Sequence, residues 1–119
     1  MILPFNPVPQ PRSCPWGQID HAEQIAPGIW SVSTPSHGGL ILSAQRLAFM
    51  PLALRYVEPF TRIAGAYEED CDACIPVVAY PEEFSADQVA RAREVFASWI
   101  APKMDPRDAV AYCPGKVLP

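Results

Sequence analysis

Three groups of residues in this chain have the types and spacings that do chemistry. The first is His37, within Ser36-His37-Gly38-Gly39. A histidine on a tight glycine-rich turn can act as a general base, and adjacent backbone N–H groups can hold an anion. The same residues also suit a plain turn, in which glycines supply backbone freedom and short polar side chains bond locally. The second group is Cys71-x-x-Cys74. A single CxxC is a weak zinc signal, because a structural zinc takes four ligands at recognisable spacing. Cys14 and Cys113 lie in proline-rich ends, and His21 and His37 follow no finger spacing. The acids around the pair raise thiol pKa values, which disfavours a redox role. We read both cysteines as small apolar residues on one helix face and expect neither metal nor cofactor. The third group is the acidic run Glu68, Glu69, Asp70 and Asp72, followed by Glu82, Glu83 and Asp87. It reads as a solvated face, as a divalent-metal site, or as a contact for a basic protein surface. No Gly-x-Ser-x-Gly nucleophile context is present.

These groups must be positioned by secondary structure. Residues 18–26 alternate weakly and predict a first strand; Pro27-Gly28 is a turn; residues 29–33 alternate apolar with polar and predict a second strand. Pro35 to Gly39 is the next turn, and residues 40–42 form a short third strand. Ser43 caps a helix over 44–49, which Pro51 ends. Residues 52–57 suit another helical turn or two, and residues 63–67, with Gly65 inside, are ambiguous. Residues 68–80 have a helix-like start, with acids where the helix dipole favours them and Cys71, Cys74, Ile75 and Val78 on one stripe. Pro76 opposes that helix and predicts a kink; a buried strand over 75–80 is the rival reading. The strongest helix spans 86–100, with Ser85 and Gln88 as a capping box and Val89, Ala92, Val95, Phe96, Trp99 and Ile100 facing the core. Trp16, Trp30, Phe49, Phe60 and Tyr67 are also read as core, with room for one tryptophan at an interface. Arg46, Arg55 and Arg62 are placed to pair with the acidic run or to bind a phosphate or carboxylate.

With 119 residues the chain is one domain, and half of it is apolar or aromatic. Its fifteen prolines cluster at the two ends. Ile2, Leu3, Phe5 and Val8 give the front end apolar anchors. The expected organisation is a proline-rich arm over 1–15, one domain over 16–101 and a proline-rich tail over 102–119, with both tails extended. A net charge of −4 and a pI near 5.0 argue against duplex DNA or an anionic membrane as the partner. The chain begins without a signal-peptide pattern and holds no run long enough to span a membrane, so a cytoplasmic setting with reduced cysteines is expected.

Several motifs together carry a resemblance. Trp16-Gly17, Ile25-Ala26-Pro27-Gly28-Ile29, Val32-Ser33-Thr34-Pro35-Ser36-His37-Gly38-Gly39, Leu42-Ser43 with Arg46 and Met50-Pro51, Tyr67-Glu68-Glu69-Asp70, and Ala79-Tyr80-Pro81 with Phe84 resemble a small domain family of unknown function found in phages, integrated elements and plasmids. The likeness covers about residues 16–84. Its most specific piece is the Ser-Thr-x-Ser-His-Gly-Gly turn coupled to Tyr-Glu-Glu-Asp. The resemblance implies a genetic setting rather than a reaction. Small acidic proteins of that setting often inhibit host defence, anti-CRISPR and antirestriction proteins among them.

The resulting expectation is an α+β domain: a three-stranded antiparallel meander in the N-terminal half with helices on one face. The expected function is a non-enzymatic inhibitor of host defence, of anti-CRISPR type, acting as monomer or dimer. Glu68, Glu69, Asp70, Asp72, Glu82 and Glu83 would face a basic surface of a host defence protein or ribonucleoprotein complex, without direct nucleic-acid contact. The alternatives are a small enzyme pairing His37 with Glu68, Glu69 or Asp70, and an accessory protein in which the two motifs only lock the hairpin onto the rest of the domain.

Overall fold

The computed structural model describes residues 5–115. Pro27-Gly28 turns the chain between the first two strands, with Gly28 at φ +85°, and a meander follows. Its strands are β1 (His21–Ala26), β2 (Ile29–Ser33), β3 (Gly38–Leu42) and β4 (Ala66–Glu68), hydrogen-bonded antiparallel in that order. The sheet thus has four strands rather than the expected three. The fourth comes from the ambiguous segment around Gly65, where Leu42 N–H bonds Gly65 O at 2.8 Å and Leu40 then sits opposite Tyr67. A three-residue strand is too short to show its alternation.

Five short helices follow the meander or interrupt it. They are α1 (Ala44–Phe49), α2 (Leu52–Arg55), α3 (Cys74–Ala79), α4 (Ala86–Val95) and α5 (Pro106–Ala109). Ser43 caps α1 by accepting the Arg46 N–H, and the Ser85/Gln88 capping box opens α4. Helix α3 starts six residues later than the sequence pattern suggests. Pro76 then falls in its first turn, where a missing N–H has no intrahelical role, so no kink is needed. Glu68 stays in β4, and residues 69–73 are turns rather than a helical start.

Helix α4 continues as a π turn over Phe96–Ile100, closed by Ala101 N–H on Phe96 O. An i→i+5 turn advances less per residue, so the core stripe keeps Phe96 and Ile100 and carries Trp99 outward. Trp99 is 64 % exposed, against the expectation that it faces the core. Residues beyond it are not an extended tail: a 3-10 turn over Ala101–Lys103 leads into α5, and Ala109 and Cys113 are fully buried. The outermost residues of both expected tails, among them Ile2 and Leu3, lie outside the described residues.

Register assigns the two sheet faces. Ile29 lies opposite Leu42, and Ser31 opposite Leu40 opposite Tyr67. This face meets α3 and α4, and its apolar members join Ile75, Val78, Val89, Phe96 and Ile100 in one core. The other face carries Trp30 and Gly39, and the N-terminal arm lies across it. Trp30 Nε1–H donates to Val8 O at 3.0 Å, and the Trp16 ring lies over Gly39. Asn6 N–H reaches Gln45 Oε1 at 2.8 Å, while Phe5 packs edge-on against Phe49 and Tyr80. The arm is therefore docked from residue 5 onward.

The buried face has a pH signature. Burial, with the Cys71 and Asp72 charges nearby, pushes the Cys74 thiol from its ordinary 9.0 up to about 12. Tyr67 moves from 10.0 to about 12, first by burial and then by Asp72 and Tyr80. Both folded values exceed the unfolded ones, so the unfolded chain loses its protons first as pH rises. Stability tied to the neutral groups is intact below pH 9 and drains between 9 and about 12. Urea midpoints are therefore expected to be level through neutral pH and to fall steadily above about pH 9. A midpoint unchanged in strong base would show that these groups ionise freely in the fold.

Candidate functional site

The two most specific motifs of the sequence meet at one end of the sheet. Thr34 organises the turn after β2: its hydroxyl accepts the His37 N–H at 3.2 Å and lies 2.7 Å from His37 O and 3.1 Å from Trp16 O. Ser36 Oγ also reaches Trp16 O, at 3.3 Å. Gly38 and Gly39 then let neighbouring backbone come close. A Cβ on Gly38 would lie 2.7 Å from Val32 O and 2.9 Å from Glu69 Oε2. Gly38 O accepts the Glu69 N–H at 2.9 Å, and His37 Nδ1 lies 3.5 Å from Glu68 Oε1. The histidine turn and the acidic run are thus tied to each other, residue against residue.

His37 and Glu68 stand within reach, but His37 is exposed on its turn and borders none of the three cavities found in the described residues. An exposed pair of this kind contributes at most about 1 kcal/mol. Glu69 and Asp70 are exposed beside it.

Asp72 leaves this set. It is only 5 % exposed, and its carboxylate accepts the Phe60 N–H. Glu83 leaves it too: it pairs with the buried Arg46. Glu82 is exposed on the 3-10 turn Pro81–Glu83, in a different part of the chain. Of the six acids expected to face a partner, Glu68, Glu69 and Asp70 are gathered in one place. Arg55 and Arg62 form no ion pair with the run among the described residues, and Arg46 has its partner in Glu83.

The cysteines sit where the acids end. Cys74 is buried on α3 and Cys71 is half-buried before it. Burial first, then Asp72, pushes the Cys71 thiol up as well. Raised thiols are poor nucleophiles at neutral pH. Among the described residues, no three His, Cys, Asp or Glu side chains gather closely enough to hold a metal.

Sequence reasoning placed Phe60 in the core; in the structure it is 83 % exposed. It rides on a tight turn in which Arg62 N–H bonds Pro59 O at 2.9 Å and Arg62 takes φ +58°. Thr61 Oγ1 donates to Ala66 O at 2.8 Å, so the turn is tied to β4 as well as to Asp72. A cavity of about 190 Å³ lies between Phe60 and Glu68, Asp70, Cys71 and Asp72. Tyr56, Leu52 and Phe49 continue the exposed apolar surface along α1 and α2. The available sequence signal was that Phe60 belongs to no apolar period; it stands alone between Pro59 and Thr61.

A larger groove of about 340 Å³ opens between the helix-facing side of the sheet and α4. Ile25, Leu40, Val77, Phe84 and Val95 line it, with Glu69, Asp70 and Cys71 at its edge. Asp70 and Cys71 border both this groove and the Phe60 cavity.

Residues 9–110 match a family model described as a domain of unknown function, DUF7007. No curated protein and no solved structure gives a significant match. No helix among the described residues is long and apolar enough to cross a membrane.

Proposed function

Because the chain belongs to the DUF7007 family, whose function is unknown, we propose a function from the geometry: the domain is a protein-binding module that docks an acidic and aromatic face on a basic surface of its partner. The observation that carries this reading is Phe60, 83 % exposed on a turn pinned by the buried Asp72 and bordered by Glu68 and Asp70. An aromatic side chain held out in water by a structured turn has little to gain in the monomer. At an interface such rigid aromatic anchors supply much of the binding energy, and carboxylates around them steer basic partners. A ring face beside carboxylates also suits a lysine or arginine side chain. In the setting that the sequence resemblance implies, the partner is a host defence protein or ribonucleoprotein, and the module is a stoichiometric inhibitor of anti-CRISPR type.

The test is capture of partners by the tagged domain from bacterial lysate carrying CRISPR and restriction systems. The comparison protein is the Phe60→Ala/Glu68→Lys/Asp70→Lys variant. All three side chains are at least partly exposed, so the variant is expected to fold as the parent does. The parent should retain one effector subunit in stoichiometric amount, and the variant should lose it by about 30-fold or more in affinity. Retention should weaken as salt rises. Equal capture by both proteins, or none by either, would overturn the assignment of this face.

A further inference from the structure

We propose that the groove between the sheet and α4 is a second site, which takes an extended peptide segment of a partner. The segment adds to the outer edge of β1, lays alternate apolar side chains on the groove floor, and turns a lysine or arginine toward Glu69 and Asp70.

Three observations support the site. First, β1 is an edge strand, and no other segment among the described residues bonds its outer backbone groups. It carries neither lysine nor proline, the residues that commonly guard an edge against pairing. Second, the groove of about 340 Å³ beside it is lined by His21 and Ile25 of β1 itself, and its floor is apolar. An added strand gains main-chain hydrogen bonds from the edge and side-chain specificity from such a pocket. Third, the groove has a polar end. His21 lies opposite Ser33 and Ser33 opposite Gly38, whose carbonyl accepts the Glu69 N–H. Glu69 and Asp70 therefore stand at the end where β1 begins, and a basic residue of the incoming segment complements them. Arg91 of α4 lines the groove as well and has no ion-pair partner among the described residues. The site does not depend on Phe60.

The test uses the full chain labelled with nitrogen-15 and an acetylated, amidated hexapeptide of sequence Lys-Val-Thr-Val-Thr-Val as probe. Saturable amide shifts are expected through His21–Ala26 together with Ser31, Ser33 and Val95. Glu69→Gln/Asp70→Asn should weaken binding by about tenfold. Ser31→Tyr, which fills the floor from a half-exposed strand position, should abolish it. Phe60→Ala should leave it unchanged, which separates this site from the face proposed above. Shifts in the groove without the β1 amides would mean a pocket for small apolar ligands and would overturn strand addition. No shift at millimolar peptide, or shifts only around Phe60, would overturn the site altogether.

Discussion

Gly39→Ala is expected to destabilise the domain by about 3 kcal/mol or more, seen as a fall in melting temperature of about 10 °C or loss of soluble protein. The cause is space and not backbone angle, since Gly39 lies outside the left-handed region. A Cβ built there runs into Tyr67 O, lies 2.6 Å from the Trp16 ring and 3.0 Å from Glu68 Cα. Two of these neighbours are backbone of β4, which cannot move without giving up its pairing with β3. Shrinking the third neighbour should therefore fail to help: Gly39→Ala in a Trp16→Leu background is expected to stay as unstable as Gly39→Ala alone. Restoration of stability by Trp16→Leu would show that the indole, and not the strand, sets the limit. The prediction also bears on the motif. If the Gly-Gly pair serves β4 approach, its role is architectural, and the chemistry first imagined at His37 is not why two glycines stand there.

Arg46→Met should cost about 3 kcal/mol in urea unfolding. Arg46 is 1 % exposed, and its guanidinium joins four segments. Nε–H donates to Pro27 O at 2.8 Å in the turn between β1 and β2, and Nη2 pairs with Glu83. The group stacks 3.7 Å from the Phe5 ring centre and 4.7 Å from that of Tyr80. Tyr80 also donates its hydroxyl to Arg46 O at 2.5 Å. Methionine fills similar volume but leaves Glu83 and Pro27 O without their donor. Glu83 is partly exposed, so water recovers some of that loss and holds the cost to the lower end for a broken buried pair. Arg46→Lys should rescue little, because an ammonium cannot present the planar fork or the stacking face. Adding Glu83→Gln to Arg46→Met should recover part of the loss, giving a positive coupling in a double-mutant cycle. An Arg46→Met protein as stable as the parent would mean that the arm and the turn are held by apolar packing alone.

The elements that were legible in the sequence rest on signals acting within a few residues. Strand β2 over 29–33, the Pro27-Gly28 turn, α1 behind the Ser43 cap, and the start of α4 at the Ser85/Gln88 box all agree with the structure. Each follows from an alternation or a cap whose donor and acceptor lie at most three positions apart. The α+β class follows from the order of these elements. Gathering of Glu68, Glu69 and Asp70 was equally legible, because they are neighbours in the chain.

What the sequence could not decide is which partner each charged or aromatic side chain meets. Asp72 looks like its acidic neighbours, yet it is buried because the Phe60 amide lies above it, twelve positions away. Arg46 looked free to bind the acidic run, yet it pairs with Glu83, thirty-seven positions away. Phe60 and Trp99 are as apolar as their buried counterparts, yet a pinned turn and a π turn aim them at solvent. Hydrogen-bonding periodicity and capping are properties of short segments, so the sequence by itself determined where strands and helices lie and where the chain turns. Burial, ion pairing and the two cavities depend on distances between segments far apart in the chain, and only the tertiary structure, by closing those distances, decided them.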